Sequence, residues 1–494
     1  MMWVFKPSVT AEVYMLVAPS SRKPSGFQQL LPVDLPMTES CPQPKPVPAV
    51  ARRRLSDPRN FSFGLLAALC PPGLVDQVLA EHGRRERRCR LLPARLMVYA
   101  LLLMCMCADL SYAKLVHHLG ELSAVGRGWP IPHKSAFARA RRRLGWEVME
   151  GLFRALAQPL ADVTRDKWAD WRGRRVVAID GTTLELPRNE ELERAFGRQR
   201  DHEGRGGRQI GPPRARLLTL IECGTRVLLD VAFGPYASGE NSLARGLRAL
   251  VPGMLVLADR GFPSKRLWEA YLKAGVDLLW RVKGDRARRR IRTLCDGTYL
   301  VSFGRGTSLT VRVIEYQLRG SDDVYRLITN LLEPNSANAL ELAELYSQRW
   351  ESETVAREIK IGQCAAGALR SQTELGVRQE IWSTCVLHLL SRQLAYRAAA
   401  RVPDRDPDRI SFSLSQDAIR RSVGRVLTIS RRALNQALEA AVAELSALRN
   451  LVTRRARSCP RILYRPTSRY GNRAHCPSPR SAVRPPAQIA LCGA

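Results

Sequence analysis

The stretch MLVLADRGFPSKRLWEAYLKAGVDLLWRV, residues 254–282, decides the fold class of this 494-residue chain. Its two ends, 254–259 and 276–282, are short apolar runs that predict buried strands. The segment between them, near Ser264–Ala274, has apolar side chains at helical spacing. Because strands that alternate with helices favour parallel pairing, the sequence predicts an α/β fold.

The residues before this stretch predict more strands of the same sheet. RLLTLIEC (216–223) and RVLLDVAF (226–233) are joined by Gly224 and Thr225, which predicts a hairpin, and RRVVAID (174–180) precedes them. A helix at 242–250 then leads to the first strand of the deciding stretch. Three further strand-like runs within 297–332 break the alternation and predict a β-rich insertion in a mixed sheet.

The rest of the chain is predicted to be mainly helical. Helical spacing continues from about residue 65 to 163, from 337 to 361, and through 375–400 and 411–449. The predicted organisation begins with a flexible Pro/Ser-rich leader (1–60) and a helical N-terminal DNA-binding domain (61–165). A catalytic domain (172–400) with an insertion at about 284–336 follows, and then a helical C-terminal region (401–455) and a basic tail (456–494). Met37 is an alternative start to Met1.

The charge of the chain indicates a polyanionic partner. The formal net charge is +32 and the pI is near 10.5, which favours nucleic acid over a membrane. The longest apolar run, 97–108, is shorter than the roughly 20 residues of a membrane-spanning helix and predicts a buried helix. The N-terminus lacks an export signal, so we expect a cytoplasmic protein at the bacterial nucleoid, with no membrane partner. The 12 cysteines form no CxxC pair, which disfavours zinc ribbons and disulfides.

Carboxylates follow two of the predicted strands. Asp180 and Asp259 come at carboxyl ends of strands, the edge of an open α/β sheet where side chains from neighbouring strands converge. A third carboxylate from a helix would complete a site for two Mg²⁺ or Mn²⁺ ions roughly 4 Å apart, which suits phosphodiester cleavage. Glu351, Glu353 and Glu358 all lie on the predicted helix, and spacing alone does not choose among them.

The segment YSQRWESETVAREIK, residues 346–360, matches the Y-(2)-R-(3)-E-(6)-K signature of the IS-four family of insertion-sequence DDE transposases. The segments AIDGTTLELP (178–187) and LADRGF (257–262) also resemble that family's first and second aspartate motifs, in the same order. The resemblance covers roughly residues 60–455. It implies an RNase H-like fold with a β-rich insertion before the helix that carries the glutamate.

By this resemblance, Asp180, Asp259 and Glu353 would be the metal ligands, while Tyr346, Arg349 and Lys360 would hold the backbone of the transposon end. On a regular helix, residues 346, 349, 353, 357 and 360 share one face, because they recur at spacings of three and four. Glu351 and Glu358 lie outside that face and are predicted to be solvated.

Other basic and aromatic residues are candidates for DNA contact. Arg139 and Arg142 lie on a predicted helix from Ser135 and could face DNA, although a solvated helix face is the alternative. Trp280 could stack on a base extruded from the duplex, but core packing is favoured because aromatic side chains usually serve burial. The basic segment 197–215 could clamp DNA or form a solvated loop.

The resemblance implies a transposase that hydrolyses a strand at the element's end and then transfers the freed 3′-hydroxyl to target DNA. Its partners would be double-stranded DNA, namely terminal inverted repeats and target, bound by a homo-oligomer without a nucleotide cofactor. The alternatives are an inactive transposase-derived DNA-binding protein and an RNase H-fold nuclease that cuts without strand transfer. Ribosome-like RNA binding would explain the charge but not the carboxylate motifs.

Overall fold

The structure is a computed structural model. It describes residues 61–88, 90–107, 110–122, 129–200, 209–283, 290–304, 309–318, 323–363, 368–424, 430–452 and 489–492. The predicted leader (1–60), Met37 and most of the predicted basic tail lie outside the described residues.

Five strands form the centre of one large sheet. In spatial order they are β5 (Leu228–Pro235), β4 (Gln209–Glu222), β2 (Arg174–Glu185), β6 (Met254–Ala258) and β7 (Asp277–Arg281). The first two pairings are antiparallel, and β2–β6 and β6–β7 are parallel. This order and these directions are those of an RNase H-like sheet, as predicted.

The central strands are buried on both faces, as expected for the parallel part of an α/β sheet. Residues 176–179 of β2 and residues 255–258 of β6 are fully buried. Helix α9 (Lys265–Lys273) connects β6 to β7, and Ser264 caps it by accepting a hydrogen bond from Leu267 N at 3.3 Å. The strand, helix and strand predicted from residues 254–282 are therefore confirmed.

The predicted β-rich insertion extends this sheet. Its strands are β8 (Arg290–Thr293), β9 (Tyr299–Phe303), β10 (Leu309–Leu318) and β11 (Val324–Thr329). β11 lies antiparallel beside β7, and β10, β9 and β8 follow in that order. β9, β10 and β11 thus come where the sequence predicts strands, whereas β8 was not predicted, and all four share the hydrogen-bond ladder of the central strands.

Several boundaries differ from the prediction. β4 begins at Gln209 and the short β3 (Arg198–Arg200) pairs with it, so much of the predicted loop 197–215 is strand. The helix predicted at 242–250 is the short α8 (Glu240–Ala244). Part of the predicted tail forms β12 (Ile489–Leu491), which pairs with β10. The remaining short elements are β1 (Asp170–Trp171) and α7 (Glu190–Phe196).

Helices occupy both sides of the sheet region in the chain. The N-terminal ones are α1 (Leu65–Leu69), α2 (Pro72–Glu81), α3 (Ala94–Met106), α4 (Tyr112–Glu121), α5 (Lys134–Leu144) and α6 (Glu147–Leu156). Those after the sheet are α10 (Ala339–Leu345), α11 (Trp350–Arg357), α12 (Glu374–Ala399), α13 (Phe412–Ser422) and α14 (Arg431–Ser446).

Helix α12 is the centre of the helical part. It contacts α3 and α6 from the N-terminal region and α13 and α14 from the C-terminal region. Helix α3 holds the longest apolar run and is buried along its length, as predicted. Among the helices that the structure describes, none has both the length and the apolar character needed to cross a bilayer.

Candidate active site

The two aspartates lie side by side at one edge of the parallel strands. β2 and β6 pair from Arg175 opposite Met254 to Ala178 opposite Leu257, and Asp180 and Asp259 each lie two residues beyond the last of these pairs. Neighbouring strands are about 4.8 Å apart, and residues in register on parallel strands project from the same face. The prediction that Asp180 ends its strand is wrong, because β2 continues to Glu185, where it pairs with β4 alone.

The segment 346–363 changes its helical type twice and crosses this edge. Residues Tyr346–Arg349 are 3₁₀, Trp350–Arg357 are α-helical and Glu358–Gln363 are π-helical. The predicted single regular helix is therefore wrong, and a uniform spacing of 3.6 residues does not hold over the signature. Helix α11 nevertheless contacts β2 and so brings its side chains to Asp180.

Arg349 links two of the predicted metal ligands. Its Nη2 donates to Glu353 Oε1 at 2.6 Å and its Nη1 lies 3.4 Å from Asp180 Oδ2. The side chain is 6% exposed, so this positive charge is held between the carboxylates away from bulk water. Ser352, which is fully buried, places its hydroxyl 3.2 Å from Asp180 Oδ2 and 2.7 Å from the Arg349 carbonyl.

The other two glutamates of the segment point to different partners. Glu351 is buried and paired with Arg226, while Glu358 is paired with Arg392 and lies 3.0 Å from His388 Nε2. The prediction that Glu351 and Glu358 are solvated is therefore wrong. Both are neutralised by basic residues from the β4–β5 turn and from α12, whereas Glu353 is bonded to Arg349 beside Asp180.

Burial decides the electrostatics of Asp180. Loss of water around the carboxylate raises its pKa to about 6, although Arg349, the Gly181 amide and Ser352 all favour the charged form. Asp259 Oδ1 is buried and has no hydrogen-bond partner among the described residues. Asp180 is thus held as a carboxylate at an electrostatic cost despite its partners, and within the described residues one oxygen of Asp259 accepts no hydrogen bond.

The three carboxylates do not converge on one point. In the described part of the chain, no three His, Cys, Asp or Glu side chains come close enough together to hold an ion between them. The donor set still suits a hard divalent cation, because it consists of carboxylate oxygens and includes the unpartnered Oδ1 of Asp259.

The remaining signature residues lie close to the aspartates. The Tyr346 hydroxyl donates to the Ala258 carbonyl at 3.2 Å and the residue is 5% exposed, so this side chain fixes the end of β6 next to Asp259. Lys360 is half-buried; burial and the neighbouring Arg214 lower its pKa, and Glu185 and Asp180 oppose the shift. DNA contacts by Tyr346, Arg349 and Lys360 stay predictions.

Trp280 lies in the core. It is fully buried, and its ring packs edge-on against Trp268 at 5.0 Å and Tyr271 at 5.8 Å between centroids. No ring face is open to a base, so the structure contradicts the predicted stacking role and supports the core-packing alternative. The reason is that the Trp280 side chain projects from β7 onto helix α9, whose Trp268 and Tyr271 cover its ring.

The arginines of α5 divide into two groups. Arg139 and Arg142 are exposed, as their predicted DNA contact requires. Arg141 is buried and donates to Gln379 Oε1, Ser371 Oγ and the Gly376 carbonyl, each at 3.1 Å. Arg141 therefore joins α5 to the start of α12, and the DNA contacts of the exposed pair stay a prediction.

Sequence reasoning missed Ser352 and Glu240. Glu240 begins α8, and its carboxylate pairs with Arg216 at 3.1 Å. A Cβ on Gly181 would lie 2.5 Å from Glu240 Oε1, and a Cβ on Gly261 would lie 3.7 Å from Oε2. The carboxylate thus fills the space beside both glycines that follow the aspartates. The glycines themselves were the available signal, because such a position often marks close approach of another group.

Comparison with known proteins finds matches to two transposase families along the chain. Residues 60–154 match the family described as insertion element 4 transposase N-terminal, and residues 171–390 match the transposase DDE domain. Transposase InsG for insertion sequence element IS4 of Escherichia coli (strain K12) is 29% identical over 408 residues, which are 79% of this chain and 90% of that protein.

Two further matches are more limited. The putative transposase InsZ of Escherichia coli (strain K12) is 32% identical over 162 residues, which are 32% of this chain and 53% of that protein. A cryo-EM structure of the piggyBac transposase synaptic complex with hairpin DNA matches with a TM-score of 0.39 and 9% identity, over 76% of this chain and 84% of that one.

The two family matches follow each other along the chain, and the IS4 relative spans both of them. The three predicted carboxylates and the signature segment all lie inside the second match. The chain belongs to the IS4 family of insertion-sequence DDE transposases, enzymes that cleave DNA and transfer its strands.

Proposed function

We propose that Asp180, Asp259 and Glu353 together bind two Mg²⁺ or Mn²⁺ ions and form the catalytic centre of this transposase. The observation that carries the proposal is the Arg349 guanidinium, which joins Asp180 to Glu353 across the edge where Asp259 also lies. A guanidinium held among carboxylates marks the place where the protein needs positive charge.

The residues present fit such ions. Three carboxylates supply the oxygen ligands that hard divalent cations prefer. A bound cation would also satisfy Asp259 Oδ1 and offset the burial of Asp180. When bound, these ions activate the attacking oxygen and neutralise charge on the scissile phosphate.

The chain's own residues would position the reaction. The parallel pairing of β2 and β6 fixes the aspartates, Ser352 orients Asp180, and Tyr346 holds the backbone before Asp259. Lys360 is near enough to Asp180 for their charges to interact, which places an ammonium group beside the centre for a phosphate oxygen.

The substrates we propose are the terminal inverted repeats of the element and a target duplex. In the first step water displaces a 3′-oxygen from phosphorus; in the second the freed 3′-hydroxyl bonds to a target phosphorus while the target's own 3′-oxygen leaves. The net charge of +32 and the exposed Arg139 and Arg142 support DNA binding. We propose a homo-oligomer that pairs two ends at the bacterial nucleoid in the cytoplasm.

The test uses the full chain and DNA that carries the flanking repeats, incubated with Mg²⁺ or with EDTA. Nicks, hairpins and joined products are scored on denaturing gels. We expect metal-dependent breaks at the repeat ends, and we expect Asp180→Asn, Asp259→Asn and Glu353→Gln to abolish them while end binding is unchanged. Glu344→Gln is the matched control, since Glu344 is exposed on the preceding helix. This variant should cleave the DNA normally.

Each outcome has a defined meaning. Full activity in any one of the three carboxylate variants would remove that residue from the metal site. Binding without cleavage under every metal condition would favour the inactive DNA-binding alternative. Breaks without joined products would favour a nuclease that does not transfer strands.

A further inference from the structure

A cleft lined by arginines lies in the N-terminal helical region, and none of the roles described above uses it. Its volume is about 270 Å³, and its walls come from the connection between α2 and α3 and from helix α5. Six arginines and one glutamate line it; the arginines are Arg84, Arg85, Arg87, Arg88, Arg90 and Arg143. We call this feature the arginine cleft.

The single carboxylate of the arginine cleft has structural partners. Glu86 Oε2 accepts the Ala94 amide at 3.2 Å, and Oε1 lies 3.1 Å from Arg143 Nε and 3.4 Å from Arg90 Nε. Arg143 also donates to the Leu92 carbonyl at 2.7 Å. Glu86 therefore ties the connection to α5 and to the start of α3, so the cleft has a fixed frame.

Among the residues that the structure describes, the other four arginines have no carboxylate partner. Arg84, Arg85, Arg87 and Arg88 are exposed, and within the described ranges none of them forms an ion pair. Like charges placed so close together repel one another unless an anion lies between them. The cleft is thus prepared for an external anion rather than for an internal ion-pair network.

The wall formed by α5 is itself held firmly. Arg141 of that helix is buried and bonded to residues at the start of α12. Arg142 and Arg139, which are exposed, lie on the same helix as the lining residue Arg143. The arginine cleft therefore adjoins a surface already predicted to contact DNA, and it is attached to the rest of the protein by rigid contacts.

We propose that the arginine cleft binds the phosphodiester backbone of the DNA, without reading its sequence. Planar guanidinium groups match the geometry of phosphate oxygens and bind them in a bidentate manner. Amide side chains, which would pair with adenine edges, are absent from the residues lining this cleft. The inference rests on the proposed function, because it takes DNA as the substrate.

The test compares Arg87→Ala/Arg88→Ala with the matched control Arg431→Ala/Arg432→Ala in the full chain. Arg431 and Arg432 are also consecutive and exposed, at the start of α14, so both variants lose the same charge. Binding is measured by fluorescence anisotropy on the repeat end and on an unrelated duplex of equal length, at several salt concentrations. Thermal melting checks the fold of both variants.

Counterion release sets the expected size of the effect. Each lost phosphate contact lowers the slope of log K against log salt by about 0.9 and weakens binding by about 8-fold at 0.1 M salt. For the Arg87/Arg88 variant we expect a slope lower by about 2 and a loss of 10- to 100-fold, equal on both duplexes. The control variant should keep the original slope within about 0.5.

Three results would overturn the proposal: an unchanged slope, an equal loss in the control, or a loss confined to the repeat end. The last would mean that the arginines contact guanine edges. Failure of the cleft and failure of the catalytic proposal are distinguishable. The Arg87/Arg88 variant should cleave at the normal rate once low salt and excess protein restore binding, whereas Asp180→Asn should bind normally and never cleave.

Discussion

Asp180→Asn should stabilise the metal-free protein while it abolishes cleavage. Burial raises the pKa of Asp180 from 3.8 to about 6, so the folded state holds this proton more tightly than the unfolded state does. The favourable contribution is complete below about pH 4 and is lost as the pH rises through 6. A shift of about 2 units corresponds to about 3 kcal/mol, which the charged carboxylate costs the fold at pH 7.5. The neutral asparagine avoids that cost.

The measurement is the melting temperature in EDTA at two pH values. For a chain of 494 residues, the entropy of unfolding is about 1 kcal/mol/K, so about 3 kcal/mol raises the melting temperature by about 3 °C at pH 7.5. At pH 4.5 the gap between variant and wild type should fall to about 1 kcal/mol, or about 1 °C, because the wild-type carboxyl is then protonated in the fold. Adding Mg²⁺ should stabilise the wild type and leave the variant unchanged.

Asp162→Asn is the control with the opposite sign. Hydrogen bonds from the Thr164 side chain and amide lower the pKa of Asp162, so its charge favours the fold and its replacement should not raise the melting temperature. An Asp180→Asn protein that melts at or below the wild-type temperature in EDTA at pH 7.5 would refute the account of Asp180 as a carboxylate held at a cost.

Three other substitutions test contacts around the centre. Gly181→Ala should lower the cleavage rate by roughly tenfold or more, since the new Cβ would lie 2.5 Å from Glu240 Oε1. The control Gly239→Ala, whose Cβ would have no atom within 4 Å, should cleave normally. Equal rates in the two variants would contradict the steric conflict between position 181 and Glu240. Arg226→Ala should cost about 3–5 kcal/mol in urea unfolding because it removes an ion-pair partner from two buried carboxylates, Glu351 and Asp408. The control Arg172→Ala breaks an exposed pair at a similar positive φ and should cost under about 1 kcal/mol; similar losses in the two variants would refute the role of burial. Trp280→Phe should lower stability by about 1–3 kcal/mol without changing the yield of hairpin products; fewer hairpin products at unchanged stability would restore the stacking role.

The sequence predicted the sheet because its signals there are local. The runs at 174–180, 254–259 and 276–282 are apolar enough to be buried on both faces, and Ser264 marks the start of the crossover helix. The register that places Asp180 beside Asp259 follows from parallel pairing at these positions. Family resemblance then added the choice of Glu353, which periodicity could not make.

The failures share a physical cause, which is long-range contact. Glu351 and Glu358 looked solvated from their own helix, but Arg226 and Arg392 reach them from distant parts of the chain. The extension of the sheet through β11 depends on pairing with β7, to which the alternation of strands and helices gives no clue. Glu240 was missed because its relation to Gly181 exists only after β2 and α8 come together.

Helix α12 has a consequence for how this enzyme can be divided. The match to the DDE domain ends at residue 390, within α12 (Glu374–Ala399), whose side chains are buried from Ile381 to Arg392. A fragment that stops at residue 390 would therefore remove the last turns of a core element and uncover the surfaces of α3, α6, α13 and α14 that pack on it. The family match and the folding unit are therefore different lengths of chain, and a fragment cut at the end of the match should fold poorly because helices outside it cover its apolar surface.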